Sequence, residues 1–442
     1  MRMVERPPTW RGQPYVLTYL LLDREPSAGD LVALQRWATE AGMPNARAIP
    51  PSLLEWSSLF NPRFFDAVAA EHDDVAERRL ELSAAAAMEP QRLARFWLES
   101  VLFLAGVTLS AAIVQSRHSP GTIASKYDRL WEAGSLATGD DVAPELAPLD
   151  LRAAVKALDE DAALATVDRL LAIRRLFLAS LATLAPPGGH EADGTQVETM
   201  AARPLPEDLA GRFGFVDDLR RDCGDGLRAV IVYGSSVSSE DFADYDVLVV
   251  VDEPETLLRR IAGQSPTWRG KELNVGVYSP DELVAMQRLS GDNLAEYGVC
   301  VWGEALVVRK PAAPLLARNF SFGVVRQRQQ LGMLSRAISE PVGDGPDDRR
   351  NLHEYFVKIP ANVAKGTFGA LGERRSKEDV HAWMRERIGF DAPAAQASVV
   401  AGDPVLPLAT ASLATGAVLR ALNDQVGIVG PHRERHEESE NP

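Results

Sequence analysis

The stretch that decides the fold runs from residue 227 to 251 and reads LRAVIVYGSSVSSEDFADYDVLVVV. It holds two apolar runs, at residues 229–233 and 247–251, and each has the length of a buried strand. A polar, serine-rich segment that begins at Gly234 separates them. The pattern therefore predicts two neighbouring strands joined by a glycine turn and a short loop.

Two carboxylates stand at the entry to the second run, in the order Asp244, Tyr245, Asp246. Successive side chains of a strand point to opposite faces, so Asp244 and Asp246 share one face and Tyr245 lies on the other. Carboxylates this close repel each other unless a cation lies between them. A few oxygen ligands with open water positions suit Mg²⁺, with Mn²⁺ as the alternative. We therefore predict that Asp244 and Asp246 are metal ligands.

The turn before the carboxylates has the features of a phosphate site. Gly234 allows a close approach of the backbone, and such a turn can direct N–H groups at an anion. Ser235 can donate a further hydrogen bond, and Ser236 is expected to contribute beside it. Metal-binding carboxylates next to a phosphate-binding turn are the components of phosphoryl or nucleotidyl transfer.

The motif resembles the signature of the DNA polymerase beta-like nucleotidyltransferase superfamily: Gly-Ser, eight residues, then Asp-Tyr-Asp between two apolar strands. It is most similar to the small-molecule branch, which includes kanamycin and lincosamide nucleotidyltransferases and the minimal MNT enzymes. The later segment KELNVGVY, residues 271–278, resembles the family strand that carries a third carboxylate, and Asn274 stands at that position. Residues 296–304 resemble the closing strand of the family. The resemblance covers only residues 206–310 of the 442.

The resemblance implies an α/β, palm-like nucleotidyltransferase domain with a small mixed sheet. It also implies an enzyme that transfers a nucleoside monophosphate from a nucleoside triphosphate to a hydroxyl of an antibiotic-like or sugar-like small molecule and releases pyrophosphate. Asp244, Asp246 and Asn274 would form the catalytic set. Asn274 departs from the family, because an amide binds metal weakly through its oxygen, brings no charge and accepts no proton as a general base.

Two other functions remain open. One is a catalytically weakened nucleotidyltransferase fold that binds a nucleotide or a partner protein as a regulator. The other is an enzyme that modifies a protein, as in toxin–antitoxin pairs of an MNT enzyme and a HEPN partner.

Taken singly, a Gly-Ser turn is common and Asp-x-Asp at a strand entry is often a solvated loop end.

Composition limits the partners of the chain. The 442 residues, 46% of them hydrophobic, predict two or three domains with sizeable cores. A net charge of −15 argues against nucleic acid as the main partner and favours small molecules; a homodimer remains open. The only cysteines, Cys223 and Cys300, form no Cys/His cluster, which argues against zinc and a disulfide framework and fits a reducing cytoplasm.

Nothing in the sequence favours export or a membrane span. The N-terminal residues lack a signal-type apolar core. The apolar run at residues 100–116 is marginal in length for a span, and its polar Ser, Thr and Gln residues favour a buried helix. We therefore predict a cytoplasmic protein without a transmembrane segment.

Changes of pattern along the chain predict five parts. Residues 1–185 are expected to form a mostly helical N-terminal domain, with a Pro/Gly-rich linker at 186–205. The next two parts are an α/β part at 206–310 and a helical part at 311–425, which the resemblance implies are the nucleotidyltransferase domain and a substrate-binding-like domain. The tail, 426–442, is expected to be disordered.

Within these parts, the helical patterns are specific enough to place individual elements. In the N-terminal domain they predict helices at 91–115, 122–134, 149–159 and 161–184, packed as a bundle. Residues 391–407 read as a Pro/Ala loop.

Overall fold

A computed structural model describes residues 2–6, 17–44, 46–60, 77, 90–115, 166–184, 194–205, 209, 211–339 and 347–427. The predicted helices at 122–134 and 149–159 lie outside the described residues, as does nearly all of the predicted tail.

The described chain is mixed α/β, as the sequence predicts. In order, its elements are β1 (Arg2–Arg6), β2 (Leu17–Leu21), α1 (Ala28–Glu40), β3 (Arg47–Ile49), α2 (Pro51–Phe60), α3 (Pro90–Gln115), α4 (Thr166–Leu184), β4 (Gln196–Ala201), α5 (Phe215–Cys223), β5 (Leu227–Tyr233), α6 (Ser235–Ser238), β6 (Asp244–Val251), α7 (Pro254–Ile261), β7 (Thr267–Trp268), β8 (Lys271–Tyr278), α8 (Pro280–Leu289), α9 (Leu294–Tyr297), β9 (Val299–Arg309), α10 (Ala312–Ser339), α11 (Asp347–Ala370), α12 (Lys377–Trp383), α13 (Ala392–Val400) and α14 (Val405–Val426). The two strands predicted around Gly234 are β5 and β6, and β8 has the predicted bounds.

The chain divides into two compact units. The first consists of Met1–Trp97 and Leu316–Pro442, and the second is Leu98–Leu315. This division differs from the predicted one, because residues 98–185 group with the sheet that carries the Asp-Tyr-Asp motif.

The second unit contains a six-stranded mixed sheet in the order β4-β9-β5-β6-β8-β7. The pair β6 and β8 is parallel, and the other neighbours are antiparallel. Strand β5 is central, and four consecutive residues, 229–232, are fully buried there. Burial on both faces explains why this strand reads as a continuous apolar run without alternation.

Helix α8 and the short α9 cover one face of this sheet. Ser279 and Glu282 form a capping box at the start of α8, with Pro280 at its first position, which fixes where the helix begins. Leu283 of α8 and Leu294 of α9 then join a buried cluster with Ile231 of β5. The cluster also includes Ala229, Val250, Cys300, Ala305 and Val307.

Helix α4 and the part of α3 from Leu98 onward also belong to the second unit. A Cβ atom at Gly106 of α3 would lie 2.6 Å from the Met286 side chain of α8, so the two helices are in close contact. Arg174 of α4 forms an ion pair of 2.5 Å with Glu282, and both side chains are largely buried. The Pro/Gly-rich composition after Leu184 therefore does not coincide with the division between the two compact units.

Strand β4 lies inside the predicted linker at 186–205. It pairs with β9 along its whole length, from Gln196 opposite Arg309 to Ala201 opposite Glu304. Arg309 also forms an ion pair with Glu198. An edge strand needs a partner on one side only and keeps most of its side chains exposed, so its composition resembles that of a linker.

The first unit has a three-stranded sheet, β1-β2-β3, and the remaining helices. Two contacts show that the predicted domain at 311–425 packs with the N-terminal residues: Gln35 donates to the Ser335 hydroxyl at 3.1 Å, and the rings of Trp56 and Phe320 meet edge to face at 5.3 Å.

The predicted loop at 391–407 is instead largely helical, formed by α13 and the first turn of α14. Asp391 caps α13 by accepting from the N–H of Ala394, and a proline lies in the first turn of the helix. Proline is tolerated there, so a Pro/Ala composition is compatible with a helix start as well as with a loop.

Among the described residues, one segment, Val405–Asp424 of α14, is long and apolar enough to cross a membrane by length and composition alone. Of this segment, 61% is buried inside the protein, and the core helix of a folded protein passes the same test.

Candidate functional site

A row of three polar side chains crosses the centre of the six-stranded sheet. Tyr233 of β5 is paired with Asp246 of β6, and Asp246 is paired with Asn274 of β8. Partners in neighbouring strands share a face, and Asp244 joins them because it lies two residues from Asp246. Tyr245 points to the opposite face, where it is buried against aromatic rings, as the sequence predicts.

The amide of Asn274 bridges the two carboxylates. Its Nδ2 donates to Oδ2 of Asp244 at 2.6 Å and lies 3.4 Å from Oδ1 of Asp246. Both carboxylates therefore present an oxygen to one position. Hydrogen bonds to ionised acceptors are short and strong, so this NH₂ group offsets part of the repulsion between the two aspartates.

Gln115, the last residue of α3, orients that amide. Its Nε2 donates to Oδ1 of Asn274 at 2.6 Å, which leaves Nδ2 of Asn274 directed at the carboxylates. The sequence did not identify Gln115, because it lies 159 residues before Asn274 and the pattern placed it in another domain. No local motif marks it.

Position 234 requires glycine for two reasons, its backbone conformation and its close contact with Asp246. Its φ of 77° and ψ of −156° belong to a region that is open almost only to glycine. A Cβ atom there would also overlap Oδ2 of Asp246. The glycine turn and the second aspartate are thus packed directly against each other.

The two serines after this glycine have different environments. Ser235 is exposed to solvent. Ser236 is fully buried, and its hydroxyl donates to the carbonyl oxygen of Tyr233 at 3.2 Å. The Ser236 side chain therefore stabilises the turn through this hydrogen bond. The sequence predicts a different role for it, a contact with phosphate.

Arg212 holds the loop between β5 and β6. Its Nη1 donates to the carbonyl oxygens of Ser236 at 2.8 Å and of Ser239 at 2.7 Å. The guanidinium also lies 5.2 Å from the centre of the Phe242 ring, and Lys271 lies over the same ring at 3.5 Å. The sequence did not identify Arg212, because it lies 24 and 27 residues before the two carbonyl groups that it bonds and no local motif links it to them.

Tyr233 and Tyr297 form an aromatic pair beside the carboxylates. Their rings meet edge to face at 5.9 Å, and Tyr297 remains 40% exposed. Burial, followed by the negative charge of Asp246, raises the pKa of Tyr233 well above its ordinary value. Tyr233 therefore stays a neutral phenol next to the aspartates at physiological pH.

The donor set consists of two carboxylates and one amide. Within the part of the chain that the structure describes, no three His, Cys, Asp or Glu side chains are placed to hold a metal together. Glu272 is paired with Asp244 across β6 and β8, on the same face as Asn274, but it does not complete such a group. Mg²⁺ is commonly held by one or two carboxylates and completed by water and substrate phosphates, so Asp244 and Asp246 fit it.

No protein-family model, no curated protein and no solved structure matches the chain. Its function is therefore inferred from the geometry of the site and from the residues of its motif.

Proposed function

We propose that the protein is a Mg²⁺-dependent nucleotidyltransferase that moves a nucleoside monophosphate from a nucleoside triphosphate to a hydroxyl of a small molecule. One observation carries this proposal. Asp244 and Asp246 direct oxygens at one position, and Gly234, the residue that brings the phosphate turn close, is packed against Asp246. Two carboxylates and a close glycine turn are what a triphosphate and its cation require.

In this reaction the acceptor oxygen forms a bond to the α-phosphorus, and the bond from that phosphorus to the bridging oxygen breaks, so that pyrophosphate leaves. A cation bound by Asp244 and Asp246 supplies neutralisation of the phosphate charge. Gly234 admits the phosphate chain to the backbone, and the exposed Ser235 hydroxyl donates to a phosphate oxygen. Arg212 keeps the loop in place by holding two of its carbonyl groups.

Asn274 limits the rate that we expect. A carboxylate at this position would accept the proton of the attacking hydroxyl, and an amide does not. The acceptor proton must therefore pass to water or to another group, and we expect slow turnover.

A second function is favoured by the same residue. Because Asn274 already donates to both aspartates, the carboxylates are partly satisfied without a cation. A site of this kind suits a nucleotidyltransferase fold that binds a nucleotide for regulation and releases no pyrophosphate.

Pyrophosphate release distinguishes the two functions. The purified protein is incubated with Mg²⁺ and each of ATP, GTP, CTP and UTP, first alone and then with aminoglycoside, lincosamide and sugar acceptors. We expect release with at least one pair, loss of release in Asp246→Asn, and parental release in Asp241→Asn, a control on the exposed part of the same loop. Nucleotide binding without release, for every pair, would favour the regulatory function.

A further inference from the structure

We infer that Gln115 and Asn274 form a reversible pair of amides whose direction decides whether Asn274 opposes or assists a cation at Asp244 and Asp246. The inference rests on the proposed function only in placing a divalent cation between these aspartates. It concerns Gln115, which the motif does not contain, and it gives Asn274 a role other than that of a lost base.

The direction of the present hydrogen bonds opposes a cation. Gln115 donates to Oδ1 of Asn274 at 2.6 Å, and Nδ2 of Asn274 donates to Asp244 at the same distance. An amide nitrogen has no lone pair to offer to a metal, so in this orientation Asn274 fills the position between the carboxylates with a hydrogen-bond donor.

A rotation of both side-chain amides by a half turn reverses the direction of the hydrogen bond between Gln115 and Asn274. The two ends of an amide differ in chemistry but hardly in shape, so both side chains can turn within the same space. Nδ2 of Asn274 then donates to Oε1 of Gln115, and Oδ1 of Asn274 faces Asp244 and Asp246. Without a cation this places three oxygens together and is disfavoured. With a cation the same three oxygens become ligands.

Glutamine at position 115 is suited to this role because it bonds Asn274 in either direction. A glutamate there accepts hydrogen bonds only, so it holds the NH₂ group of Asn274 and turns Oδ1 toward the aspartates. A leucine of similar size bonds neither end and favours neither direction. The two substitutions therefore separate the direction of the amide from the packing of the side chain.

Mn²⁺ affinity, measured by electron paramagnetic resonance or calorimetry, provides the test. We expect Gln115→Glu to bind Mn²⁺ about tenfold more tightly than the parent, in line with the strength of one hydrogen bond to a charged group. Gln115→Leu should bind within about twofold of the parent, since it biases neither orientation, while lowering the denaturation midpoint.

The negative charge that Gln115→Glu introduces must be separated from the effect of the substitution on the direction of the amide. For this purpose Gln115→Glu is also made in an Asn274→Ala background, where the charge remains but there is no amide to turn. We expect most of the gain to disappear there, as a double-mutant cycle would report for two residues in contact. An equal gain in both backgrounds, or no gain in the first, would overturn the inference.

The same measurements separate this inference from the proposed function. If the parent binds Mn²⁺ and Asp246→Asn does not, but Gln115→Glu changes nothing, only the amide pair is refuted. If the parent binds no Mn²⁺, or Asp246→Asn binds it equally well, the site itself is wrong and both ideas fail.

Discussion

Gly234 and Asp246 are packed so closely that a side chain at position 234 and the carboxylate at position 246 exclude each other. A Cβ atom at residue 234 would lie less than 3.0 Å from Oδ2 of Asp246, which is closer than a Cβ atom and an oxygen can approach without a clash. The contact joins the end of β5 to the start of β6. Any movement of the glycine turn therefore displaces Asp246, one of the two proposed metal ligands.

Gly234→Ala should destabilise the fold and displace Asp246. The positive φ alone costs about 1–3 kcal/mol for alanine. Gly224 provides a matched control, because its φ of 55° and ψ of −138° are similar and a Cβ there meets nothing within 4 Å. Chemical denaturation should show a loss for both variants. Only Gly234→Ala should also weaken Mn²⁺ binding, and equal binding in the two would contradict the assigned role.

Asp244→Asn and Asp246→Asn should each remove cation binding while keeping the fold. Replacing one of two repelling carboxylates removes a cost from the metal-free protein, so the free energy of unfolding should be unchanged or slightly higher. Circular dichroism melts and Mn²⁺ titration measure the two effects. Asp241→Asn, on the exposed loop just before them, should match the parent in both.

Asn274→Asp should tighten cation binding and increase turnover. The new carboxylate adds a charged ligand and a proton acceptor, and Nε2 of Gln115 can still donate to it. A restored general base contributes typically about 10²–10⁴-fold, so even partial recovery is measurable as pyrophosphate release. Tighter Mn²⁺ binding without product, across all nucleotides and acceptors, would favour the regulatory function.

The raised pKa of Tyr233 predicts a loss of stability in alkali. Below the ordinary tyrosine pKa of about 10 the phenol is neutral in both the folded and the unfolded state, so its contribution is fully present. As the pH rises from there through the higher folded pKa, only the unfolded state ionises, and stability falls. Tyr233→Phe should flatten this fall in denaturation midpoints.

Asp246→Asn provides a second check on the same group. Burial is the largest cause of the raised pKa, and the charge of Asp246 comes next. Removing that charge should make Tyr233 ionise at a lower pH in a spectrophotometric titration, though still above the ordinary value. An unchanged titration would show that the carboxylate does not act on the phenol.

A cut between residues 185 and 194 should not release the N-terminal part of the chain. Within the second unit, Arg174 pairs with Glu282 and Arg175 pairs with Glu255, so α4 is held to elements that follow the cut. After cleavage at an engineered protease site, the two fragments should elute together in gel filtration. Separation under native conditions would support the independent domain at 1–185 that the sequence suggested.

The sequence predicts the site best where its chemistry is local. The two aspartates of β6 and the glycine turn can be identified because strand alternation and turn chemistry act over a few residues. Gln115 and Arg212 cannot, because their roles depend on contacts far along the chain. The predicted boundary at 185 differs from the division into compact units for a related reason: composition marks a Pro/Gly-rich stretch, but not which helices on either side of it pack together.

Tyr233, Asp246 and Asn274 lie side by side only when β5, β6 and β8 pair in the observed register. A slip of β8 by one residue along β6 would move Asn274 to the far side of the sheet, away from both aspartates. The contact between Gln115 and Asn274 joins residues 159 apart, so its formation carries the loop-closure entropy of a non-local pair. The hydrogen bonds from Asn274 to the two aspartates are thus expected only in chains that have reached the native pairing of β6 and β8, so they report the correctly folded fraction of a preparation.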